Sequence, residues 1–276
     1  MPLNWINPED FSFNSFLLMD RFQIRMMLKT GDWHTYTEED EKAEKKRNLG
    51  VALNANPAVK WYMEHKCPEC ADIVREIAAN APALTGPAEI RKAEVAVLAS
   101  SEDWVTYTRP EVMDTNCDFI CAWNKERLFE LADFTGKTVL DVGSGSGRLA
   151  FAAAEKAAWV YASEPVDTLR EYLRDKIGRE GIRNMHVVDG MAHALAYPDD
   201  TFDIVMSGHV VGDDYDNEIA EMSRVCKPGG WFLDCPGENA NNEDSDSEMT
   251  KRGWEEMHYI SPLGGDVYRY RKQIMK

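Results

Sequence analysis

In TVLDVGSGSGRLAF (Thr138–Phe151) a carboxylate and three alternating glycines follow one another closely: Asp141, then Gly143, Gly145 and Gly147. Glycines so placed let backbone N–H groups approach a ligand and turn the chain from a strand into a helix. What they hold depends on their neighbours. A triphosphate loop needs Lys followed by Ser or Thr after its last glycine, and Arg148-Leu149 stand there instead. A dinucleotide fingerprint needs G-x-G-x-x-G, whereas the spacing here is G-x-G-x-G. Asp141 also sets a negative charge beside the turn, where it repels a pyrophosphate and suits a ligand with a positive amino group.

From Gly136 onward, short apolar runs alternate with helical stretches, the pattern of a parallel sheet with helices on its faces. Strands are expected at Thr138–Val142, Trp159–Ser163, Met185–Val188, Asp203–Ser207, Trp231–Cys235, Met257–Ile260 and Val267–Met275. Helices are expected at Arg148–Ala157, Val166–Gly178 and Tyr215–Val225. Only Gly264-Gly265 separates the last two strands, which predicts a hairpin with one antiparallel strand at the sheet edge. The earlier part of the chain is helical in pattern. Segments are expected at Asp10–Thr30, Thr37–Arg47, from Asn56-Pro57 to Cys67-Pro68, Asp72–Ala79, Pro87–Ser100 and Trp123–Phe134.

Two cysteine pairs raise a separate possibility. HKCPEC holds Cys67 and Cys70, and CDFIC holds Cys117 and Cys121, so four sulfurs could close a tetrahedral zinc site. The pairs are far apart in the chain, the second lacks C-x-x-C spacing, and cysteine is often buried as a small apolar residue. No metal is expected.

The D-x-G-x-G-x-G turn after an apolar strand resembles the first motif of class I S-adenosylmethionine-dependent methyltransferases. Other features fall in that family's order: Glu164 in ASEP, LAYPDDTFDIV (Leu195–Val205) and RVCKPGGWFLD (Arg224–Asp234). The resemblance implies a Rossmann-like α/β fold, a seven-stranded, mostly parallel sheet over residues 123–276. An α-helical N-terminal extension, residues 1–122, would act as a lid and shape the acceptor pocket. It implies S-adenosylmethionine as cofactor, with Asp141, Gly143, Ser144, Gly145 and Gly147 around its methionine part. Glu164, followed by Pro165, would take both ribose hydroxyls, because a carboxylate accepts two hydrogen bonds from a diol. The stretch Asp189, Gly190, Met191, Ala192 would meet the adenine. Met191 stands where many members have an acid, so either Asp189 reads the adenine amino group or the ring rests on the Met191 thioether, the arrangement expected here. Ala196 replaces the family's proline in the following turn. Ser207 would close the site at the end of the fourth strand. In the segment after it, SGHVVGDDYDNE, His209 is the candidate general base, with Asp213, Asp214 or Tyr215 as orienting groups. The competing role for His209 is packing and hydrogen bonding beside the cofactor.

Bulk properties narrow the partners. The net charge is −17, and the acids are spread evenly: 15 basic and 23 acidic residues up to Phe134, against 16 and 25 beyond it. Such a field repels phosphate backbones and anionic lipid, so neither nucleic acid nor a membrane is an expected partner, and a small-molecule substrate is. The acid-rich stretch Glu238–Glu248 reads as a solvated loop that could steer a basic substrate. With no leader or apolar span in the sequence, the expected location is cytoplasmic. Two rivals stay open: a non-catalytic protein that binds the same cofactor, and a nicotinamide-dependent oxidoreductase, which Asp141 and the glycine spacing oppose.

Overall fold

The computed structural model describes residues 5–30, 39–83, 86–121, 123–212, 214–236, 248–261 and 264–276. It divides into two units, Met1–Met113 and Asp114–Lys276. The division falls earlier than the expected boundary at 122/123. Asp114 accepts hydrogen bonds from the Tyr172 hydroxyl (2.7 Å) and Lys176 Nζ (2.6 Å), which tie the chain from that point to the second unit.

The first unit is helical. Ser12 caps a 3-10 turn over Phe13–Leu18, and Asp20 opens α1 (Arg21–Arg25) through a reciprocal capping box with Gln23. These caps explain why Asp10–Thr30 is not one helix. A buried carboxylate that takes the Gln23 N–H at 2.9 Å starts a new helix mid-run, and a π turn over Met26–Thr30 follows. Beyond lie α2 (Glu39–Ala55), α3 (Pro57–Lys66), α4 (Ala71–Ala79), α5 (Pro87–Ser100), α6 (Glu102–Tyr107) and α7 (Pro110–Asn116), which runs across the division. α2 outlasts the segment expected to end at Arg47 because Leu49, Ala52 and Leu53 enter the core beside Phe16, Ile24 and Leu98. Cys67 and Cys70 are fully buried there. Burial, with the neighbouring thiol, pushes Cys67 up to about 12, so it stays protonated. Trp104 sits edge-on to Phe22 and Tyr107, as part of this packing.

The second unit begins with α8 (Asp118–Cys121) and α9 (Glu126–Phe129). Then come β1 (Thr138–Val142), α10 (Arg148–Ala154), β2 (Trp159–Ser163), α11 (Asp167–Glu180), β3 (Met185–Val188), β4 (Phe202–Ser207) and α12 (Tyr215–Val225). The chain ends with β5 (Cys226–Asp234), α13 (Glu248–Lys251), β6 (Glu255–Ile260) and β7 (Asp266–Gln273). The expected helix over Trp123–Phe134 shrinks to the single turn of α9. Asp133 accepts the Thr135 N–H (2.9 Å) and Arg271 donates to the Leu131 carbonyl (2.9 Å), so the backbone is committed elsewhere, while Leu128, Leu131 and Phe134 bury their side chains.

The strands form one seven-stranded sheet in the order β3-β2-β1-β4-β5-β7-β6, with β1 to β5 parallel. The expected β6–β7 hairpin is present, but β7 inserts between β5 and β6. The antiparallel strand therefore lies one place in from the edge, and β6 is the edge. Cores fill both faces. Val139, Leu149, Val160 and Ile204 pack on one; Leu140, Phe202, Phe232 and Met222 pack on the other.

Phe202 is fully buried, with Tyr161 and Tyr197 edge-on at 5.4 and 4.8 Å between ring centroids. Phe202→Ala is expected to destabilise this unit by about 3–5 kcal/mol, read from the shift of its denaturant unfolding transition.

Candidate functional site

Strand register builds the site. Val142 pairs with Ser163 on one side and Ser207 on the other, Ser163 pairs with Val188, and Ser207 pairs with Asp234. The five parallel strands β1 to β5 thus end on one row. The residues that follow emerge on the same side: the glycine turn after β1, Glu164 after β2, Asp189 after β3 and Gly208-His209 after β4. That is the carboxyl end of the sheet, where ligands of open α/β folds bind.

The glycine turn is tied down by its backbone. Gly143 and Ser144 donate to the Ser163 carbonyl at 2.8 and 3.1 Å, and Gly147 donates to Ser144 O at 2.8 Å. Ser144 Oγ donates to the Asp141 carbonyl at 2.9 Å. Gly143, Gly145 and Gly147 all have positive φ, of 67°, 55° and 99°. Two of them also have no room for a side chain. A Cβ on Gly143 would lie 2.3 Å from Val210 Cγ2, and one on Gly147 would lie 2.6 Å from the Phe151 ring.

Glu164 is 4% exposed and locked by two backbone donors, Gly145 N to Oε2 and Val166 N to Oε1, both at 2.9 Å. A carboxylate oxygen can accept more than one hydrogen bond, the property that suits this side chain to a diol. Pro165 follows it in the turn into α11. Arg170 closes that turn by donating to the Glu164 carbonyl (2.6 Å) and reaches Asp189 at 3.3 Å. Asp189 is thus an exposed partner of Arg170. Met191 forms a short bridge with Ala194 just after Gly190, with Ala192 inside it.

At the ends of β4 and β5, Ser207 Oγ donates to Asp234 Oδ1 at 2.9 Å, with both residues buried. Arg148 Nη2 donates to the Cys235 carbonyl at 2.6 Å, and its guanidinium lies 5.0 Å from the centre of the Trp123 ring. His209 has φ 62°, a left-handed conformation uncommon outside glycine. The residue is exposed, while the protein packed around it, with the positive charge of Arg148, lowers its pKa to about 4. Asp214 caps α12, Asp213 lies outside the described residues, and so does the acid-rich stretch apart from Glu248. Asp234, Arg148 and Trp123 were not among the candidates expected here; the Asp at the end of RVCKPGGWFLD was the available signal.

Among the described residues no group of three or more His, Cys, Asp or Glu side chains is placed to hold a metal ion. Cys67 and Cys70 belong to the first unit, and Cys117 and Cys121 to the second. No helix among the described residues is long and apolar enough to cross a membrane.

Residues 139–230 match a family model described as a methyltransferase domain. The chain is 31% identical over 117 residues to a ubiquinone/menaquinone biosynthesis C-methyltransferase from a Marinomonas species, covering 40% of this chain and 47% of that one. It is 32% identical over 157 residues to a demethylmenaquinone methyltransferase from Anoxybacillus flavithermus, covering 53% of this chain and 62% of that one. The crystal structure of an S-adenosylmethionine-dependent methyltransferase from Aquifex aeolicus superimposes with a TM-score of 0.51 at 18% identity, over 61% of this chain and 98% of that one, a likeness of fold. Residues 139–230 form a methyltransferase domain, on the fold of the S-adenosylmethionine-dependent enzymes. The chain spans about half the length of the curated relatives it matches.

The residues of the methyltransferase domain fit its cofactor, S-adenosylmethionine. Asp141 is 1% exposed, and among the described residues its Oδ2 has no hydrogen-bond partner. An unsatisfied buried acceptor beside the turn suits the donor that the methionine ammonium would bring. Burial pushes Asp141 up to about 7, against the lowering pull of the Ser144 hydrogen bond and Arg148. In the cofactor-free state this group binds its proton more tightly folded than unfolded. Its contribution is therefore fully present below the ordinary carboxylate range and is lost as pH rises through about 7. Asp141→Asn is expected to raise the unfolding midpoint of the cofactor-free protein at about pH 8, with a smaller gain at about pH 5, in paired denaturation curves. An equal gain at both would show that burial of the charge is not what destabilises the wild type.

Proposed function

We propose that this protein transfers a methyl group from S-adenosylmethionine to a small-molecule acceptor bound at the carboxyl end of β4 and β5. The observation that carries the reading is Glu164, locked by Gly145 N and Val166 N on the row where the glycine turn also emerges. The relatives named above act on quinone precursors, which are small molecules, and the −17 charge disfavours a phosphate-backbone substrate. Both support the acceptor class.

When bound, the cofactor supplies a methyl carbon on a positively charged sulfur, which needs positioning more than activation. Glu164 takes the ribose hydroxyls, and Asp141 the methionine ammonium. With Asp189 drawn to Arg170, Met191 is the surface for the adenine. His209 stays neutral at physiological pH, so it adds no positive charge beside the sulfonium, and its lowered basicity assigns it to contact rather than proton removal.

S-adenosylhomocysteine is expected to bind the wild type in calorimetric titration, and a nicotinamide dinucleotide is not. Glu164→Ala is expected to weaken binding at least about tenfold, since each hydrogen bond to a charged group contributes roughly 1.5–3 kcal/mol. Unchanged affinity would remove Glu164 from the site. His209→Ala should reduce methyl transfer from labelled cofactor into a small-molecule extract while leaving S-adenosylhomocysteine affinity nearly intact. Equal losses in both would make His209 a cofactor residue.

A further inference from the structure

Asp234 is a buried carboxyl that the reading above leaves without a task. It ends β5 at 6% exposure, paired in register with Ser207, and accepts the Ser207 hydroxyl at 2.9 Å. Among the described residues it makes no ion pair. The groups facing it come from every neighbouring element: Ser207 on β4, Arg148 on α10, Tyr215 on α12, and Tyr270, its register partner on β7. Cys235 follows it, with its carbonyl held by Arg148. A buried carboxyl without a counter-ion costs stability and does nothing for the core that an apolar side chain would not do better. It also lies on the row from which the glycine turn emerges, two strands across from β1.

We infer that Asp234, oriented by Ser207, receives the proton of the acceptor, and that the acceptor is accordingly a protic nucleophile: an amine, a hydroxyl or an acidic carbon. The inference rests on the methyltransferase reading. The acceptor's lone pair takes the methyl carbon as the sulfur–carbon bond breaks and its electron pair stays on sulfur. The proton on the acceptor atom passes to the Asp234 carboxylate, which returns it to water. Burial pushes Asp234 up to about 7, partly offset by the Ser207 hydrogen bond and the Arg148 charge. A base so poised is half-ionised at physiological pH, where general-base catalysis is most effective. The same surroundings drive His209 the other way, to about 4, so the two candidates separate by environment.

The test uses the full chain, with water as the probe acceptor. Infrared titration of the cofactor-free protein should show carboxylic-acid carbonyl absorption lost as pH rises through neutrality, from Asp141 and Asp234 together, and Asp234→Asn should remove the Asp234 share and leave that of Asp141. Slow decay of S-adenosylmethionine to S-adenosylhomocysteine and methanol should rise over the same range in the wild type. In Asp234→Asn it should fall at least about tenfold and become flat in pH, with S-adenosylhomocysteine affinity within about twofold. Ser207→Ala keeps the carboxyl but removes a hydrogen bond that lowers its pKa, so its inflection should move to higher pH, a shift that a purely structural role would not give. The inference is overturned by an absent or unchanged infrared band, by decay that is undetectable or insensitive to Asp234→Asn, or by loss of S-adenosylhomocysteine affinity in that variant. If the wild type itself fails to bind S-adenosylhomocysteine, the methyltransferase reading falls. If it binds and only the Asp234→Asn arms fail, that reading stands and this one falls.

Discussion

Everything at the site depends on the register of five parallel strands. Because Val142 faces both Ser163 and Ser207, and Ser207 faces Asp234, one row of hydrogen-bonded neighbours crosses the sheet at its carboxyl end. A slip of one residue on any strand would turn its core side chains to the opposite face, so burial on both faces fixes the row. Leu140 and Val142 point into one core and Val139 into the other, leaving β1 no alternative register. The glycine turn then starts at a fixed height, and Glu164 meets the Gly145 N–H at 2.9 Å with no adjustable linker between them. The cofactor side of the site is therefore a consequence of core packing several residues away.

That rigidity concentrates charge where water is scarce. The surface is strongly acidic, yet the groups that matter at the carboxyl end are few: Asp141, Glu164 and Asp234 as acids, Arg148 as base. Their environments differ in what satisfies them. Glu164 is held by two backbone donors; Asp141 and Asp234 are governed by burial and rise to about 7. Arg148 acts on several neighbours at once. It braces the end of β5 through the Cys235 carbonyl, and its charge lowers both acids as well as His209. Burial is the larger cause of each shift, and this one guanidinium adjusts all three.

What the sequence disclosed and what it withheld divide along local and non-local lines. β1, β2 and β3 were legible to the residue, because each is a short apolar run bounded by turn residues. Glu164 was marked as a candidate through its resemblance to a motif at a fixed place after β2, and its place on the row follows from the β1–β2 pairing. Asp234 was not. As the last residue of an apolar strand it looks like the start of a loop, and only the β4–β5 pairing, across 27 residues of chain, brings it to Ser207. The insertion of β7 between β5 and β6 is non-local in the same sense, since a hairpin signal says which strands pair but not where the pair docks. The Trp123–Phe134 helix failed for a different reason. Its apolar spacing was real, but Leu128, Leu131 and Phe134 reach the core from an irregular backbone whose carbonyl at Leu131 is taken by Arg271.

The strained backbone of His209 follows from the same crowding. Gly208 has no space for a side chain: a Cβ there would lie 2.6 Å from Arg148 Nη2 and 2.8 Å from the Cys235 carbonyl. The chain leaving β4 must therefore clear the Arg148–Cys235 contact before it can turn, and it does so at the next residue, with φ 62°. A non-glycine residue held there costs about 1–3 kcal/mol, which the surrounding packing must offset. Glycine would relieve the strain, so the position of an imidazole at this turn has to be explained by what the side chain contributes. Beside a cofactor that carries a cation, a histidine kept neutral would offer hydrogen bonding without repulsion, and the proposed proton removal falls to a group whose charged form is negative. Arg148 acts at both ends of that arrangement: its charge adds to the burial that keeps the imidazole unprotonated and offsets part of the burial that raises Asp234.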